Sequence, residues 1–388
     1  MRAATAFLYA LTCGVAVSTV YLPQPLLGLV SDDLRIGVGS AGTLATAVQL
    51  GYALGILLLV PLGDRMRPRR LVTVLLVSTA LLLALASTAT STAVLAPLLV
   101  VAGVTAVVPQ VLIPLAGRLV PRERSGAVVG VLMTGLVCGI FGSRVVAGLV
   151  GQAVGWRSVL LVFAALSLLV AVALFRVLPD GFPPPAPSYS RLLAGLPRLV
   201  RAQPALRQAA WIQFFVFGAF NATWTVLTLQ LTGQFGWSTG QAGLFGLVGL
   251  AGGLLTPAAG AQVDRRGPLA VLGVCLALVA VSVVLIALGG GTLVVLALGM
   301  FVLTVGTQCA QVAHQTRIFA AVPEARSSVN TVYMSAAFLG GSLGAQLGTA
   351  AFTHSGLAGV AGTDTGLVCL AVLGYGAARH RARTRTAL

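Results

Sequence analysis

Charged side chains are scarce in this chain, and lysine is missing altogether. Of the 388 residues only 8% are charged, against about 25% in ordinary soluble domains. Eight acidic residues and 24 arginines are too few to cover the surface of a soluble protein in which 57% of the residues are hydrophobic. The composition therefore excludes an ordinary water-soluble protein and predicts an integral membrane protein.

Motifs of catalysis and of metal binding are also missing. The five cysteines lie in apolar stretches, without CxxC or Cys/His spacing, so neither a disulfide framework nor a metal site is expected. The chain contains no HExxH, no GxSxG and no P-loop. We therefore expect no enzyme, no metal, no cofactor and no ATP-driven pump.

Long uncharged stretches recur along the whole chain. A stretch of about 20 apolar residues crosses the hydrocarbon core as a helix, whereas transmembrane strands alternate apolar and polar residues, which these stretches do not. The predicted fold class is an all-α integral membrane protein with twelve transmembrane helices. The predicted spans are 4–30, 40–63, 71–91, 93–117, 126–152, 157–178, 208–231, 239–263, 269–289, 292–316, 328–352 and 358–378.

The arginines predict the orientation of the chain. If the N-terminus lies in the cytoplasm and the sides alternate, 21 of the 24 arginines fall inside, Arg35 and Arg157 fall outside, and Arg144 falls within a helix. The positive-inside rule then places a multi-pass protein in the bacterial cytoplasmic (plasma) membrane with both termini in the cytoplasm. Topology and attraction to anionic lipid account for the net charge of +16, so no nucleic-acid partner is expected.

A polar, proline-rich stretch divides the chain into two halves. We predict a six-helix bundle at 1–178, a cytoplasmic linker with an amphipathic helix at 179–207, and a second six-helix bundle with a basic cytoplasmic tail at 208–388. The halves repeat each other, because "DR" at 64–65 recurs 200 residues later and "PRERS" at 121–125 recurs as "PEARS" 202 residues later. Parallel repeats of this kind place a binding site between two pseudo-symmetric bundles, which points to transport.

Several segments resemble the major facilitator superfamily. Its loop G-x-x-x-D-R-x-G-R-R resembles "VPLGDRMRPRR" and, in the second half, "GAQVDRRGP", although Val60, Arg67 and Pro68 replace residues of the motif. "YLPQPLL", "GWR", "FGAFNATWT" and "PEARSSVNTVYM" resemble the twelve-helix exporters grouped with the drug:proton antiporters. The resemblance implies the fold of that superfamily across the whole chain.

The function implied is secondary active transport by alternating access, with proton-coupled efflux of a small amphipathic organic compound or drug. An importer or uniporter for an anionic metabolite stays open, as does a non-transporting membrane receptor or scaffold. The expected partners are a small-molecule substrate, protons and the lipid bilayer, and the expected oligomeric state is a monomer.

Four of the eight acids stand in matched cytoplasmic loops, where we expect a gate. We hypothesise that an arginine of the first loop in each half pairs with the glutamate of the second, Arg65 or Arg69 with Glu123 in the first half. The resemblance implies that the loop aspartate faces a helix N-terminus of the opposite half, where a carboxylate is stabilised by about 0.3–1 kcal/mol. The candidate gating residues are Asp64, Arg65, Arg69, Arg70, Glu123, Asp264, Arg265, Arg266 and Glu324.

The fifth predicted helix is rich in glycine and contains an arginine. It partly resembles the antiporter motif G-x8-G-x3-G-P-x2-G-G, and close helix packing is the expected role of Gly130, Gly135, Gly139, Gly142 and Gly148. Arg144 should face protein or a water-filled cavity, since an arginine at mid-helix costs about 2.5–3.5 kcal/mol to insert. A substrate-facing role and a structural tie stay open for it.

Polar residues of other helices are candidates for the substrate path. The resemblance implies that helices 1, 4, 7 and 10 line a cavity, and repeat offsets of 200 to 202 match helix 1 with helix 7 and Arg144 with Gln346. Polar groups beside aromatic rings suit an amphipathic organic molecule. The candidate path residues are Tyr21, Gln24, Gln110, Arg144, Asn221, Trp224, Gln308, Gln311 and Gln346.

Proton coupling requires a titratable group in the path. The candidates are the pair Asp32 and Asp33, at the outer end of helix 1, and Asp364, in helix 12. We expect Asp364 to face lipid or the outside of the bundle, so the pair is preferred.

Overall fold

The computed structural model describes residues 3–181, 189–322 and 325–386, which form sixteen α-helices and no strand. Short 3₁₀ turns at Val60–Asp64 and Gly289–Gly291 join some of them. The helices are α1 (Ala3–Tyr21), α2 (Pro23–Leu34), α3 (Val38–Leu58), α4 (Pro68–Ala86), α5 (Thr92–Thr105), α6 (Val108–Arg118), α7 (Arg122–Val154), α8 (Trp156–Val177), α9 (Tyr189–Ala202), α10 (Pro204–Gln234), α11 (Thr239–Gly243), α12 (Gly246–Gly253), α13 (Thr256–Arg266), α14 (Pro268–Leu288), α15 (Leu293–Ala321) and α16 (Arg326–Thr386).

Eleven helical segments of the described chain are long and apolar enough to cross a membrane. The last of them, Arg326–Arg381, is two spans, because the backbone leaves the helical region at Ser355 and Gly356. Gly356 has φ 56° and ψ −149°, a conformation that residues with a side chain adopt only at a high cost. Twelve spans are therefore present. Their outward faces carry apolar side chains such as Leu81 and Leu169, each 66% exposed.

Prolines and glycines break three of the spans that we predicted as single helices. In the first span, α1 ends at Tyr21 and α2 begins at Pro23, because Pro23 and Pro25 have no N–H to donate to the preceding turn. The fourth is interrupted between α5 and α6, just before Pro109. The eighth consists of the short helices α11, α12 and α13. Breaks of this kind in membrane helices occur where protein or a water-filled cavity surrounds the backbone.

The chain between the two predicted bundles contains the helix α9. Its leucines share one face, and Leu196 on that face is buried, whereas Arg191, Arg198 and Arg201 are exposed. This division of apolar and basic residues makes α9 amphipathic.

The contacts divide the chain into two compact units. Unit 1 comprises Met1–Leu193 together with Gly236–Leu250, and unit 2 comprises Ala194–Phe235 together with Ala251–Leu388. In unit 1, α1 packs on α7, α3 on α5, and α4 on α8, while α11 packs on α7. In unit 2, α10 packs on α16 and α14 on α15.

Glycines bring the paired helices to backbone contact in both units. In unit 1 a Cβ on Gly135 would overlap the carbonyl group of Ala10. In unit 2 a Cβ on Gly340 would overlap the carbonyl group of Phe214. These contacts match Gly135 with Gly340 and Ala10 with Phe214, at offsets of 205 and 204.

The contacts therefore give a repeat offset of 204 to 205 in the helices, against 200 to 202 between the loop motifs. The structural counterpart of Arg144 is Thr349 rather than Gln346. By the helix offset of 204, the counterparts of Tyr21 and Gln24 are Thr225 and Thr228. The loop offset of 200 had selected Asn221 and Trp224 instead.

Candidate functional site

A buried arginine cluster occupies the break between α1 and α2 in unit 1. Arg144 of α7 is only 3% exposed. Its Nη2 donates a hydrogen bond to Oε1 of Gln24 at 2.6 Å, and its Nη1 donates to the carbonyl oxygen of Ile140. Its guanidinium lies over two aromatic rings, with the centroid of Tyr21 at 4.7 Å and that of Phe141 at 5.4 Å. The cluster presents a cation, an amide and two aromatic faces within one small volume.

Close helix packing positions this cluster. Cβ atoms on Gly135 and Gly139 of α7 would overlap the backbone at Ala10 and Gly14 of α1. Ser18 joins the same two helices, because its hydroxyl donates to the carbonyl oxygens of Gly14 at 2.7 Å and of Gly139 at 3.2 Å. One turn further along α7, the Arg144 side chain consequently reaches the start of α2.

The structure places Gln110 beside a residue that the sequence did not single out. Its Nε2 donates to the hydroxyl of Tyr52, 3.4 Å away. Phe141, which lies against Arg144, was missed as well. The spacing of three residues between Phe141 and Arg144 puts both on one face of a helix, and was the signal that could have found it.

In unit 2, the other candidate path residues lie on three helices. Asn221 and Trp224 are buried on α10, and the Trp224 ring lies 6.0 Å from that of Phe220. The side-chain Nδ2 of Asn221 donates to the carbonyl oxygen of Phe217 at 3.0 Å. The partly buried glutamines are Gln308 and Gln311 on α15 and Gln346 on α16.

Asp364 does not face lipid or the outside of its unit, contrary to our expectation. The residue is fully buried, and its Oδ2 accepts a hydrogen bond from the hydroxyl of Thr223 at 2.5 Å. The sequence could not show this, because the surrounding helix is apolar on every face and its buried side cannot be read from periodicity.

One member of the preferred proton-binding pair, Asp33, already has two partners. Asp33 is exposed at the end of α2, where it forms an ion pair with Arg157 and accepts a hydrogen bond from Nε1 of Trp156 at 3.1 Å. These two donors hold the pKa of Asp33 below its ordinary value. The ion pair disfavours Asp33 as the proton carrier, and the preference for the pair stays a prediction.

The predicted gating residues are only partly described. Arg69 donates through Nε to the carbonyl oxygen of Leu178 at 2.9 Å, and its Nη1 lies 3.7 Å from Oδ2 of Asp180. Arg65 and Arg70 are exposed near the start of α4, and the sequence had not singled out Asp180. Asp264, Arg265 and Arg266 are exposed at the end of α13. The side chains of Asp64 and Glu123 and the whole of Glu324 lie outside the described residues, so the predicted pairs with glutamate stay predictions.

The five glycines of α7 differ in their surroundings. Gly135 and Gly139 contact α1, and a Cβ on Gly148 would lie 2.8 Å from the carbonyl oxygen of Thr239 in α11. A Cβ on Gly130 or Gly142 would meet no described atom within 4 Å. Contacts with neighbouring helices therefore support a close-packing role for Gly135, Gly139 and Gly148.

Twelve apolar spans define a multi-pass membrane protein, and its interior contains buried polar and cationic side chains. Within the described ranges, no three side chains of His, Cys, Asp or Glu come together as a metal site would require. The chain belongs to the Major Facilitator Superfamily, whose family model matches residues 6–345 and 209–385.

Relatives of this chain are named as transporters. "Probable transporter SCO4007" of Streptomyces coelicolor is 40% identical over 356 residues, which is 91% of this chain and 82% of the relative. "Uncharacterized transporter YgaY" of Escherichia coli O157:H7 is 35% identical over 380 residues, 97% of this chain and 96% of the relative. The protein is accordingly a transporter and not an enzyme.

Solved structures share the fold at low sequence identity. The nucleoside transporter NupG superposes with a TM-score of 0.75 at 14% identity, covering 96% of this chain and 98% of NupG. The human organic anion transporter MFSD10 superposes with a TM-score of 0.72 at 18% identity, covering 96% and 98% of the two chains. These likenesses confirm the predicted twelve-helix fold and, at such identities, say nothing about the substrate.

Proposed function

We propose that this transporter exports a small amphipathic organic compound in exchange for protons, by alternating access. The observation that carries the proposal is the buried cluster of Arg144, Gln24, Tyr21 and Phe141 at the break in the first span. Aromatic faces offer apolar contact area, and the amide and guanidinium offer directional hydrogen bonds. A compound with an aromatic body and a polar end suits this combination.

The orientation follows from the arginines. With α1 beginning in the cytoplasm, 21 of 24 arginines lie on the cytoplasmic side, which favours a bacterial plasma membrane protein with both termini inside. Green fluorescent protein fused to the C-terminus should therefore fluoresce, because it folds in the bacterial cytoplasm and not after export through the Sec pathway. Alkaline phosphatase at the same position should be inactive, and the opposite pair of results would reverse the orientation.

Arg144 favours a second candidate, an importer or uniporter for an anionic metabolite. A buried guanidinium binds carboxylate or phosphate groups with two parallel hydrogen bonds. The acidic residues on the helices of unit 1 lie near helix ends, Asp32 and Asp33 at the exposed end of α2 and Glu123 at the start of α7, about 20 positions before Arg144. The region around Arg144 is therefore suited to an anionic rather than a cationic solute.

Proton flux in everted membrane vesicles separates the two candidates. An acid-inside pH gradient is established, and then tetraphenylphosphonium, chloramphenicol or benzoate is added as a cationic, neutral or anionic probe. We expect one probe to dissipate the gradient in vesicles with the transporter and not in vesicles from an empty vector. If a radiolabelled probe equilibrates without proton flux, the protein is a uniporter and the exchange proposal fails.

The Arg144→Gln variant tests the role of the cluster in the same assay. If Arg144 binds the charge of the substrate, the response to benzoate should fall by about tenfold or more, since a charge-assisted hydrogen bond contributes about 1.5–3 kcal/mol. Arg157→Gln is a matched control, because it removes an arginine that is partly exposed and lies outside the cluster. Equal losses in both variants would contradict a role in the substrate path.

A further inference from the structure

A single carboxyl group is enclosed in the apolar interior of unit 2. Asp364 of α16 is 0% exposed, and Thr223 of α10 donates to its Oδ2 at 2.5 Å. The other oxygen, Oδ1, is buried and has no hydrogen-bond partner among the described residues. The neighbouring turns of the two helices bury Ala222 and Val360 in one apolar cluster.

Charged residues are few on the helices packed around Asp364. The only charged residue of α10 is Arg207, sixteen positions before Thr223 and thus about 24 Å along the helix. On α16 itself, His354 precedes the break at Gly356 and is exposed. The other titratable or charged residues on α16 and on the helices packed against it, α14 and α15, are Cys275, Cys309, His314, Arg317, Arg326, Tyr333, Cys369, Tyr375, Arg379, His380, Arg381, Arg383 and Arg385.

Of these groups, none whose side chain the structure describes bonds to the carboxyl group, whose one described hydrogen bond comes from a neutral hydroxyl. An ionised carboxylate in an apolar interior costs far more than a neutral carboxylic acid. One hydrogen bond does not replace the several that a carboxylate accepts in water. The enclosed conformation is therefore compatible with the protonated acid and strongly disfavours the ionised form.

We propose that Asp364 carries the proton that the transporter exchanges for its substrate. The inference rests on the proposed proton exchange and names the group that performs it. In the enclosed conformation the carboxylic acid holds the proton and bonds to Thr223. Loss of that proton to water leaves a carboxylate, which stabilises any conformation that lets water reach this part of α10 and α16. Only an O–H bond forms and breaks in this cycle.

The contact with α10 links the proton to the candidate substrate path. Thr223 is adjacent to Trp224 and two residues from Asn221, and both are candidate path residues on the same helix. A change in the charge of Asp364 thus acts on the segment of α10 that would contact the substrate.

Infrared spectroscopy of the purified full-length protein tests the proton site without knowledge of the substrate. A protonated carboxylic acid has a carbonyl stretching band that is separate from the carboxylate bands. At neutral pH we expect this band in the wild type and in Asp180→Asn, whose carboxyl group is exposed, and we expect its loss in Asp364→Asn. Absence of the band from the wild type would overturn the inference.

Transport by the same variants tests the coupling. With the probe that gives proton flux in wild-type vesicles, Asp364→Asn should lower proton flux by about tenfold or more, because an amide has no exchangeable acid proton. Exchange of the radiolabelled probe across the membrane without a gradient should persist, which also shows that the variant folds. Asp364→Glu, which keeps a titratable group, should retain part of the flux.

The outcomes separate the inference from the proposed function. Proton flux in the wild type that Asp364→Asn leaves unchanged would overturn the role of Asp364 and leave proton exchange intact. No proton flux in the wild type with any of the three probes would overturn proton exchange itself, and the role of Asp364 with it.

Discussion

Gly139 of α7 lies against Gly14 of α1 so closely that a Cβ on Gly139 would overlap the backbone of its neighbour. Membrane helices that approach in this way depend on residues without side chains. Gly139→Val should therefore lower the melting temperature, by the equivalent of about 1–3 kcal/mol of overpacking or more. Gly142→Val, on the same helix and with open space around it, is the matched control. Thermal unfolding followed by size-exclusion chromatography measures both, and similar melting temperatures would contradict the packing.

The Thr223 hydroxyl should contribute to stability through Asp364. Thr223→Val leaves the buried carboxyl group without its donor, which should cost about 1–3 kcal/mol. The matched control is Thr19→Val, at the equivalent position of α1 by the helix offset of 204. The Thr19 hydroxyl is buried without a partner among the described residues, so its removal should be neutral or stabilising. A larger loss in Thr19→Val than in Thr223→Val would contradict the hydrogen bond.

Arg144 and Gln24 should behave as one energetic unit. Each of Arg144→Leu and Gln24→Leu breaks the same 2.6 Å hydrogen bond, so the double variant should be more stable than the sum of the single losses predicts. The expected coupling is about 0.5–3 kcal/mol. Thermal stabilities of the four proteins in the cycle measure it, and strict additivity would show that the hydrogen bond contributes nothing.

The ion pair between Asp33 and Arg157 predicts a dependence of stability on pH. Because the folded state lowers the pKa of Asp33, this group stabilises the fold above its unfolded pKa. The contribution is lost as the pH falls through the lower, folded pKa. Arg157→Gln removes the main cause of the lowered pKa. The loss of folding stability that Asp33 causes at acidic pH should therefore be smaller in this variant. Melting curves between neutral and acidic pH for the wild type, Arg157→Gln and Asp33→Asn would show it, and parallel curves for all three would refute it.

The proposed gate predicts a change in accessibility. If Asp64 stabilises closure on the cytoplasmic side, Asp64→Asn should raise the rate at which a membrane-impermeant thiol reagent, added from that side, labels a cysteine at position 110. The background is a protein without its five native cysteines, all of which are free thiols. Asp33→Asn, at the exposed end of α2, controls for the loss of a carboxylate outside the gate. An unchanged rate in Asp64→Asn would exclude the gate.

The number of spans could be predicted from sequence because each span is a long uncharged run, and this property depends on composition alone. The orientation of individual side chains within a span could not be predicted from the sequence. Helix 12 is apolar all round, so no periodicity marks the face on which Asp364 is buried. The repeat register was misjudged because it was taken from loop motifs, whose offset differs from that of the helix contacts. Gln24 and Arg144 were singled out separately, but their contact depends on a glycine packing that only the structure reveals.

The position of α11 has a consequence for biogenesis. Unit 1 includes Gly236–Leu250, whose helix α11 covers Gly148. The backbone N–H of Gly240 in α11 donates a hydrogen bond to Oε1 of Gln152 at 2.8 Å. A nascent chain that has released only its first eight helices from the ribosome still lacks this cover. The amino-terminal unit can therefore reach its final packing only after the first long helix of the other unit has been inserted. A fragment ending at Leu193 should accordingly be a substrate for membrane quality-control proteases, and co-expression of the remaining residues should protect it.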